Sequence, residues 1–416
     1  MRRTTTIIIG AGQAGLAMSH CLAEQSIDHV VLERGQVANS WRTERWDSLR
    51  LLSPNWQNRL PGYKYQGDNP DGFRTLNETI QFFDSYSSQI ATPIQTETGV
   101  LSVEPFGDEY IIRTTRGDWQ CRSIVIATGC MSTPNIPAFA KDLSTSVRTL
   151  SSKDYRNPEQ IEDGGVLVVG PSASGVQIAQ ELQLAGREVV LSVGEHVRLP
   201  RTYRGQDILK LMDQSGIFDH TIHDVDDLNR VRRLPSMQLI GTPTRDTISL
   251  NSLQTLGVEI VGRSMSARDN QIQLSGSLAN VCQLADLKMN RLLRTLDEWL
   301  EQTGATGVDA DAHTPAATNV PETPCLSLDL KQRGVRTIIW ATGFRPDYSW
   351  LNLPVLNGRG RLIHDGGVVS APGVYAMGLP FMRKRKSNFI DGVADDARDL
   401  SSHLNAYLSG ASAQAA

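Results

Sequence analysis

Thr4–Gly15 reads Thr-Thr-Thr-Ile-Ile-Ile-Gly-Ala-Gly-Gln-Ala-Gly. Three consecutive isoleucines, Ile7 to Ile9, predict a strand buried on both faces. They run straight into Gly10, Gly12 and Gly15, and a helical pattern follows over Leu16 to Leu22. Strand, G-x-G-x-x-G turn and helix make a dinucleotide cradle, in which the turn is tight, the backbone is bare enough to approach a pyrophosphate, and the helix packs close to the strand. Gln13 and Ala14 stand at the helix start, whose free N–H groups favour phosphate. A second apolar run, Val30 to Leu32, ends at Glu33, where a carboxylate accepts the ribose hydroxyls of an adenosine, and Arg34 follows.

The same pattern returns at Val166–Gly175, Val-Leu-Val-Val-Gly-Pro-Ser-Ala-Ser-Gly. Gly170 and Gly175 are kept; Ser172 takes the middle position, and Ala173 and Ser174 precede the last glycine. No acid closes the next strand, Val189 to Val193. Ser192 is read as its closing residue, with Arg198, Arg201 and Arg204 beyond it. A hydroxyl and arginines accept the 2′-phosphate that a carboxylate would repel, so NADPH is expected over NADH. Two further strands end in Ala-Thr-Gly, at Thr128-Gly129 and at Ala341-Thr342-Gly343. Small residues there let backbone approach closely, and the second such strand is expected to return the chain to the first domain. The fold class is therefore α/β with two Rossmann-like dinucleotide-binding domains. Residues 1–160 and 331–416 form the first, discontinuous domain and 161–330 the second. A flexible linker is expected over 303–324, which is rich in Ala, Thr, Gly and Pro.

Between these landmarks, Asn39–Trp56 is long, irregular, aromatic and basic. Trp41, Arg42, Trp46 and Leu52 are its candidates for lining a planar cofactor pocket. Thr75–Tyr86 predicts an amphipathic helix, and Ser277–Gln302 a longer one with Leu284, Leu287, Leu292, Leu296 and Trp299 as its apolar stripe. Asp286 falls on its solvated side. A last strand ends at Gly378-Leu379. Lys386 and Ser387 follow as candidate cofactor contacts, and a closing helix spans Gly392–Tyr407.

Composition excludes several classes. A net charge of −4 leaves no footprint for nucleic acid. Five cysteines form neither a C-x-x-C pair nor a metal-ligand cluster, which argues against a dithiol-disulfide reductase. No run reaches the roughly 18 apolar residues of a membrane span, and a cytoplasmic protein is expected.

Two glycine turns, an acid after the first alone, two Ala-Thr-Gly strand ends and Val-Tyr-Ala-Met-Gly at 374–378 resemble the two-dinucleotide-binding-domain flavoproteins. That resemblance implies FAD at the first site and NADPH at the second. Gly378-Leu379 replaces the Gly-Asp of the disulfide reductases, and Trp-Ala-Thr-Gly-Phe-Arg-Pro-Asp at 340–347 resembles the bacterial flavin-containing monooxygenase-like branch of class B. The monooxygenase fingerprint carries a histidine where Ser151 stands here, although Tyr155 matches its aromatic end. The implied chemistry is NADPH-driven flavin reduction, capture of O2 as a C4a-hydroperoxide, and transfer of one oxygen atom to a small organic substrate. Asn55 resembles the active-site asparagine of that family. A reductase of a carrier protein or quinone and a non-catalytic flavoprotein sensor remain as alternatives. If the chain assembles, a homodimer is expected.

Overall fold

The computed structural model describes residues 1–310 and 313–410. Two sheets carry it, the first parallel through its centre with an antiparallel edge, the second parallel throughout. The first has seven strands in the order His364–Asp365, Val368–Val369, Val374–Ala376, Ser123–Ile126, Thr6–Ile9, His29–Leu32 and Ile94–Gln95. Thr6–Ile9 is central and wholly buried, flanked in parallel by His29–Leu32 and Ser123–Ile126. Each buried isoleucine there contributes about 1.5–3 kcal/mol. Helix Gln13–Glu24 and the closing helix Val393–Leu408 pack together against this sheet.

The second sheet runs Arg148–Ser151, Val335–Trp340, Gly165–Val169, Val189–Val193 and Glu259–Gly262, all parallel. This corrects the expected topology. The strand ending at Trp340 pairs with Gly165–Val169 in the second sheet, and the chain returns to the first sheet only with the strands from His364 onward. Central strands of both sheets are continuous apolar runs, so composition alone does not say which sheet an Ile-Ile-Trp strand joins.

Two helical expectations shift in detail. Helix Leu76–Gln89 starts at a Thr75 capping box closed by Glu78 and buries Phe82, Phe83 and Tyr86. Helix Leu278–Thr303 buries Cys282, Ala285, Met289, Leu293, Leu296 and Leu300, whereas Leu284 and Leu287 are exposed. The true stripe lies a residue or two round from the predicted one, and it carries Asp286 inward to meet Arg198. Residues 313–324 are irregular but tied down, correcting the flexible linker: Ala316, Ala317 and Asn319 give carbonyls to Arg198, Asn251 and Gln254, and Thr318 N–H donates to Asp286 at 2.8 Å. Residues 311–312 of that stretch lie outside the described set.

Candidate functional site

The first glycine turn does what its spacing predicts. A Cβ on Gly15 would overlap the Gly10 carbonyl, and one on Gly10 would stand 2.6 Å from the Ala127 oxygen, while the space above Gly12 is open. Glu33 is held where the crevice ends. Its Oε2 accepts from Ala11 N–H at 2.8 Å and its Oε1 from Gly35 N–H at 3.0 Å. The crevice is about 370 Å³ and is lined by Gly10, Gly12, Gln13, Ala14, Glu33, Arg34, Trp41, Thr128, Gly129 and Gly378, all proposed from sequence. Thr128 Oγ1 is buried there without a partner, an unmet hydrogen-bonding group of the kind a bound nucleotide satisfies.

Other residues of the lining were not among the cofactor contacts expected from sequence. Arg45 lies over the Trp41 ring at 5.3 Å. Asn39, Ser40, Thr98 to Val100, Cys130, Asp347 and Trp350 also line it. Only strand order brings these loops together. The one available signal was the basic-aromatic spacing of Trp41 and Arg45.

Several proposed contacts fall outside the lining of this crevice. Arg42 pairs with Asp84 on the surface. Trp46 is buried in the second lobe's core, and Leu52 packs beside Leu199 and Tyr203. Leu379 is wedged between two cores of the first lobe. Lys386 pairs with Asp219 at 3.0 Å. Ser387 is fully buried and accepts from the N–H groups of Arg383 and Lys384. Asn55 lies on the turn Asn55–Gln57, away from the crevice lining; its Nδ2 donates to Asn69 O at 2.9 Å, and its buried Oδ1 has no partner.

The second turn repeats the first. A Cβ on Gly175 would overlap the Gly170 carbonyl, and Gly170 lies against the Ala341 carbonyl as Gly10 lies against Ala127. Ala341, Thr342 and Gly343 thus close the second cradle. Ser172 is the N-cap of helix Ala173–Leu184, with Ser174 in its first turn. The residues expected to hold the 2′-phosphate are not free. Ser192 is buried and bonded to Gly262 O and Ser264. Arg198 is bound to Asp286. Arg201 is fully buried, paired with Asp207, donating to Leu52 O at 2.7 Å and stacked on Phe73 at 4.7 Å. Arg204 is held by Asp297. Strand register gives the reason. Ile9 pairs with Leu32 and Val169 with Ser192, so Val193, not Ser192, stands in Glu33's place. Ser151, at the fingerprint-histidine position, is buried and closes a turn on Asp154 at 2.6 Å, and Tyr155 O–H donates to Glu181.

The family described as pyridine nucleotide-disulphide oxidoreductase matches residues 7–212. An oxidoreductase of Geobacillus kaustophilus named CzcO-like is 31% identical over 397 residues, 95% of this chain and 96% of its own length. The chain belongs to the CzcO-like oxidoreductase family. Among solved structures, a flavin-containing monooxygenase from Stenotrophomonas maltophilia superposes with a TM-score of 0.67 at 19% identity, covering 98% of this chain and 100% of that one. A bacillithiol disulfide reductase from Staphylococcus aureus gives 0.60 at 14%, covering 98% and 99%. This CzcO-like chain has the two-dinucleotide flavoprotein fold, and its cofactor pair is FAD and NADPH, with the first crevice fitting FAD and the second cradle the pyridine nucleotide. None of its described helices is long and apolar enough to cross a membrane.

Proposed function

We propose that this CzcO-like oxidoreductase is an NADPH-dependent flavoprotein monooxygenase that transfers one oxygen atom from O2 to a small organic substrate by N- or S-oxygenation, N-hydroxylation or Baeyer–Villiger insertion. The carrying observation is the placement of the thiols. All five cysteines are free; Cys21, Cys121 and Cys282 are buried in three different cores, and Cys130 is the one thiol in the flavin crevice. Burial pushes the Cys130 thiol up, with Arg45 pulling the other way. A protonated thiol without a partner is a poor electron relay. The near full-length superposition on a flavin-containing monooxygenase supports the same reading.

FAD, when bound, supplies hydride acceptance and oxygen activation. The chain supplies the rest. Glu33 takes the adenosine ribose, the N-terminus of helix Gln13–Glu24 takes the pyrophosphate, and Arg45 on Trp41 adds a cation to the same wall. The two lobes meet where Arg201 holds Leu52 and Phe73, and a buried contact of this kind would help keep water from a reacting flavin. Arg263, exposed and beside Gly194, replaces the buried arginines as the residue for the 2′-phosphate. Asn55 Oδ1 is the unmet acceptor proposed to face the reacting group.

Purified protein assayed for NADPH oxidation against amines, sulfides and ketones tests the proposal. Oxygenated product formed in step with NADPH consumption is expected. Consumption that follows only an added quinone or carrier protein, with no oxygenated product, would replace this reading by the reductase.

A further inference from the structure

We propose that Ser236 and Gln238 are nucleotide ligands of the second cradle, supplied by a segment outside both glycine motifs; the proposal rests on the assignment of that cradle to a pyridine nucleotide. In the first site the carbonyl after the opening glycine, Ala11 O, accepts the N–H of Ala38 at 3.0 Å. The residues that follow, Asn39, Ser40 and Trp41, are the crevice wall. The equivalent carbonyl in the second site is Pro171 O, and it accepts from Gln238 Nε2 at 2.6 Å. Gln238 is fully buried, and its Oε1 has no partner. Because a carbonyl only accepts, Pro171 decides which end of the carboxamide faces it, and the free Oε1 is an acceptor held beside the turn.

Two residues earlier, Ser236 Oγ accepts from Ala173 N–H at 3.3 Å. That N–H is the first of helix Ala173–Leu184, one of the donors a helix start leaves unsatisfied. Gln177 Nε2 fastens the segment through Leu239 O at 2.8 Å. The Gln238 side chain therefore meets, in the second site, the carbonyl that the Ala38 N–H meets in the first. A hydroxyl at 3.3 Å is a long contact that a phosphate oxygen betters, and the serine then turns to donate to the phosphate. Gln238 Oε1 suits a ribose hydroxyl or carboxamide N–H of the nicotinamide half. The segment continues to Gly241, packed against the Leu51 carbonyl and Phe73, so this wall leads from the pyrophosphate toward the flavin lobe.

Calorimetric titration of the FAD-loaded protein with NADP+ and with adenosine 2′,5′-bisphosphate, which lacks the nicotinamide half, tests this. Ser236→Ala, at an exposed position, should weaken NADP+ binding by about three- to tenfold, and Gln238→Met by about tenfold or more, as expected for lost hydrogen bonds to a charged or buried group. For Gln238→Met the loss for the bisphosphate should be much smaller, whereas Ser236→Ala, which removes a hydroxyl beside the phosphates, should weaken both ligands. An unchanged flavin spectrum and retained bisphosphate binding show that the fold is intact. Either variant binding NADP+ like the wild type, or Gln238→Met losing both ligands in parallel, overturns the proposal alone. A folded, yellow wild type that binds neither ligand overturns the assignment of the cradle and the proposal with it.

Discussion

Glu33 and Val193 occupy the same place in two copies of one device, and only the first copy carries a charge there. Glu33→Ala should lower FAD affinity roughly ten- to hundredfold, the worth of charge-assisted hydrogen bonds, read as flavin content after gel filtration. At the second copy an apolar Val193 stands in the acid's place, and Arg263 lies against the following Gly194. Arg263→Ala should reduce the preference for NADPH over NADH about tenfold in kcat/KM. Arg201 has the opposite profile. Fully buried on Asp207, Arg201→Ala should destabilise by about 3–5 kcal/mol, since it leaves Asp207 buried and unpaired, with the NADPH/NADH ratio unmoved. Urea unfolding and steady-state kinetics on one preparation separate these outcomes.

The closing helix, Val393–Leu408, carries a pH response of its own. Burial raises the Asp396 carboxyl to about 6, against a hydrogen bond from Ser387 that pulls it down. A folded-state value above the unfolded one, near 3.8, means the folded chain binds the proton more tightly. This group therefore supports folding below about pH 4, and that support is lost as pH rises toward 6. Asp396→Asn should remove the loss, raising stability at pH 7.5 by on the order of 2–3 kcal/mol while changing little at pH 4. Urea midpoints measured from pH 4 to 8 check it; parallel curves for the two proteins would refute the assignment. Helix Leu278–Thr303 shows how a correct element can carry a wrong face. Leucines lie all round it, so several stripes fit the sequence, and contact with Leu199, Leu209 and Phe218 chooses the one through Met289, Leu293 and Leu296.

Two cradles in one chain serve redox chemistry only if their lobes meet with the nucleotides end to end. That meeting is made by Arg201 on Leu52 and Phe73 and by Gly241 against the Leu51 carbonyl. Gly175→Ala, whose methyl would overlap the Gly170 carbonyl, should abolish NADPH binding yet leave the protein yellow, because the first lobe holds its flavin independently. Asn55→Ala should raise the share of NADPH consumed as H2O2 in the presence of substrate, measured by peroxide assay against oxygen uptake. Unchanged coupling would assign Asn55 to loop structure through its bond to Asn69.

From sequence alone came the fold class, the geometry of both glycine turns, the place of Glu33 at its strand end, and part of the first crevice's lining, Gly10, Gly12, Gln13 and Ala14 with Thr128, Gly129 and Gly378. These were legible because each depends on neighbours within a few residues: a glycine's missing Cβ, a strand's unbroken apolar run, an acid one residue past a strand. What only tertiary structure decided depends on contacts between segments far apart in the chain. Whether an arginine meets a phosphate or a buried aspartate is set by which loop faces it, so Arg198 and Arg201 became structural once Asp286 and Asp207 were brought beside them. Sheet membership of the strand ending at Trp340, the crevice positions of Arg45 and Asp347, and the wall at Ser236–Leu239 all follow from strand order and register. Local periodicity carries no information about either.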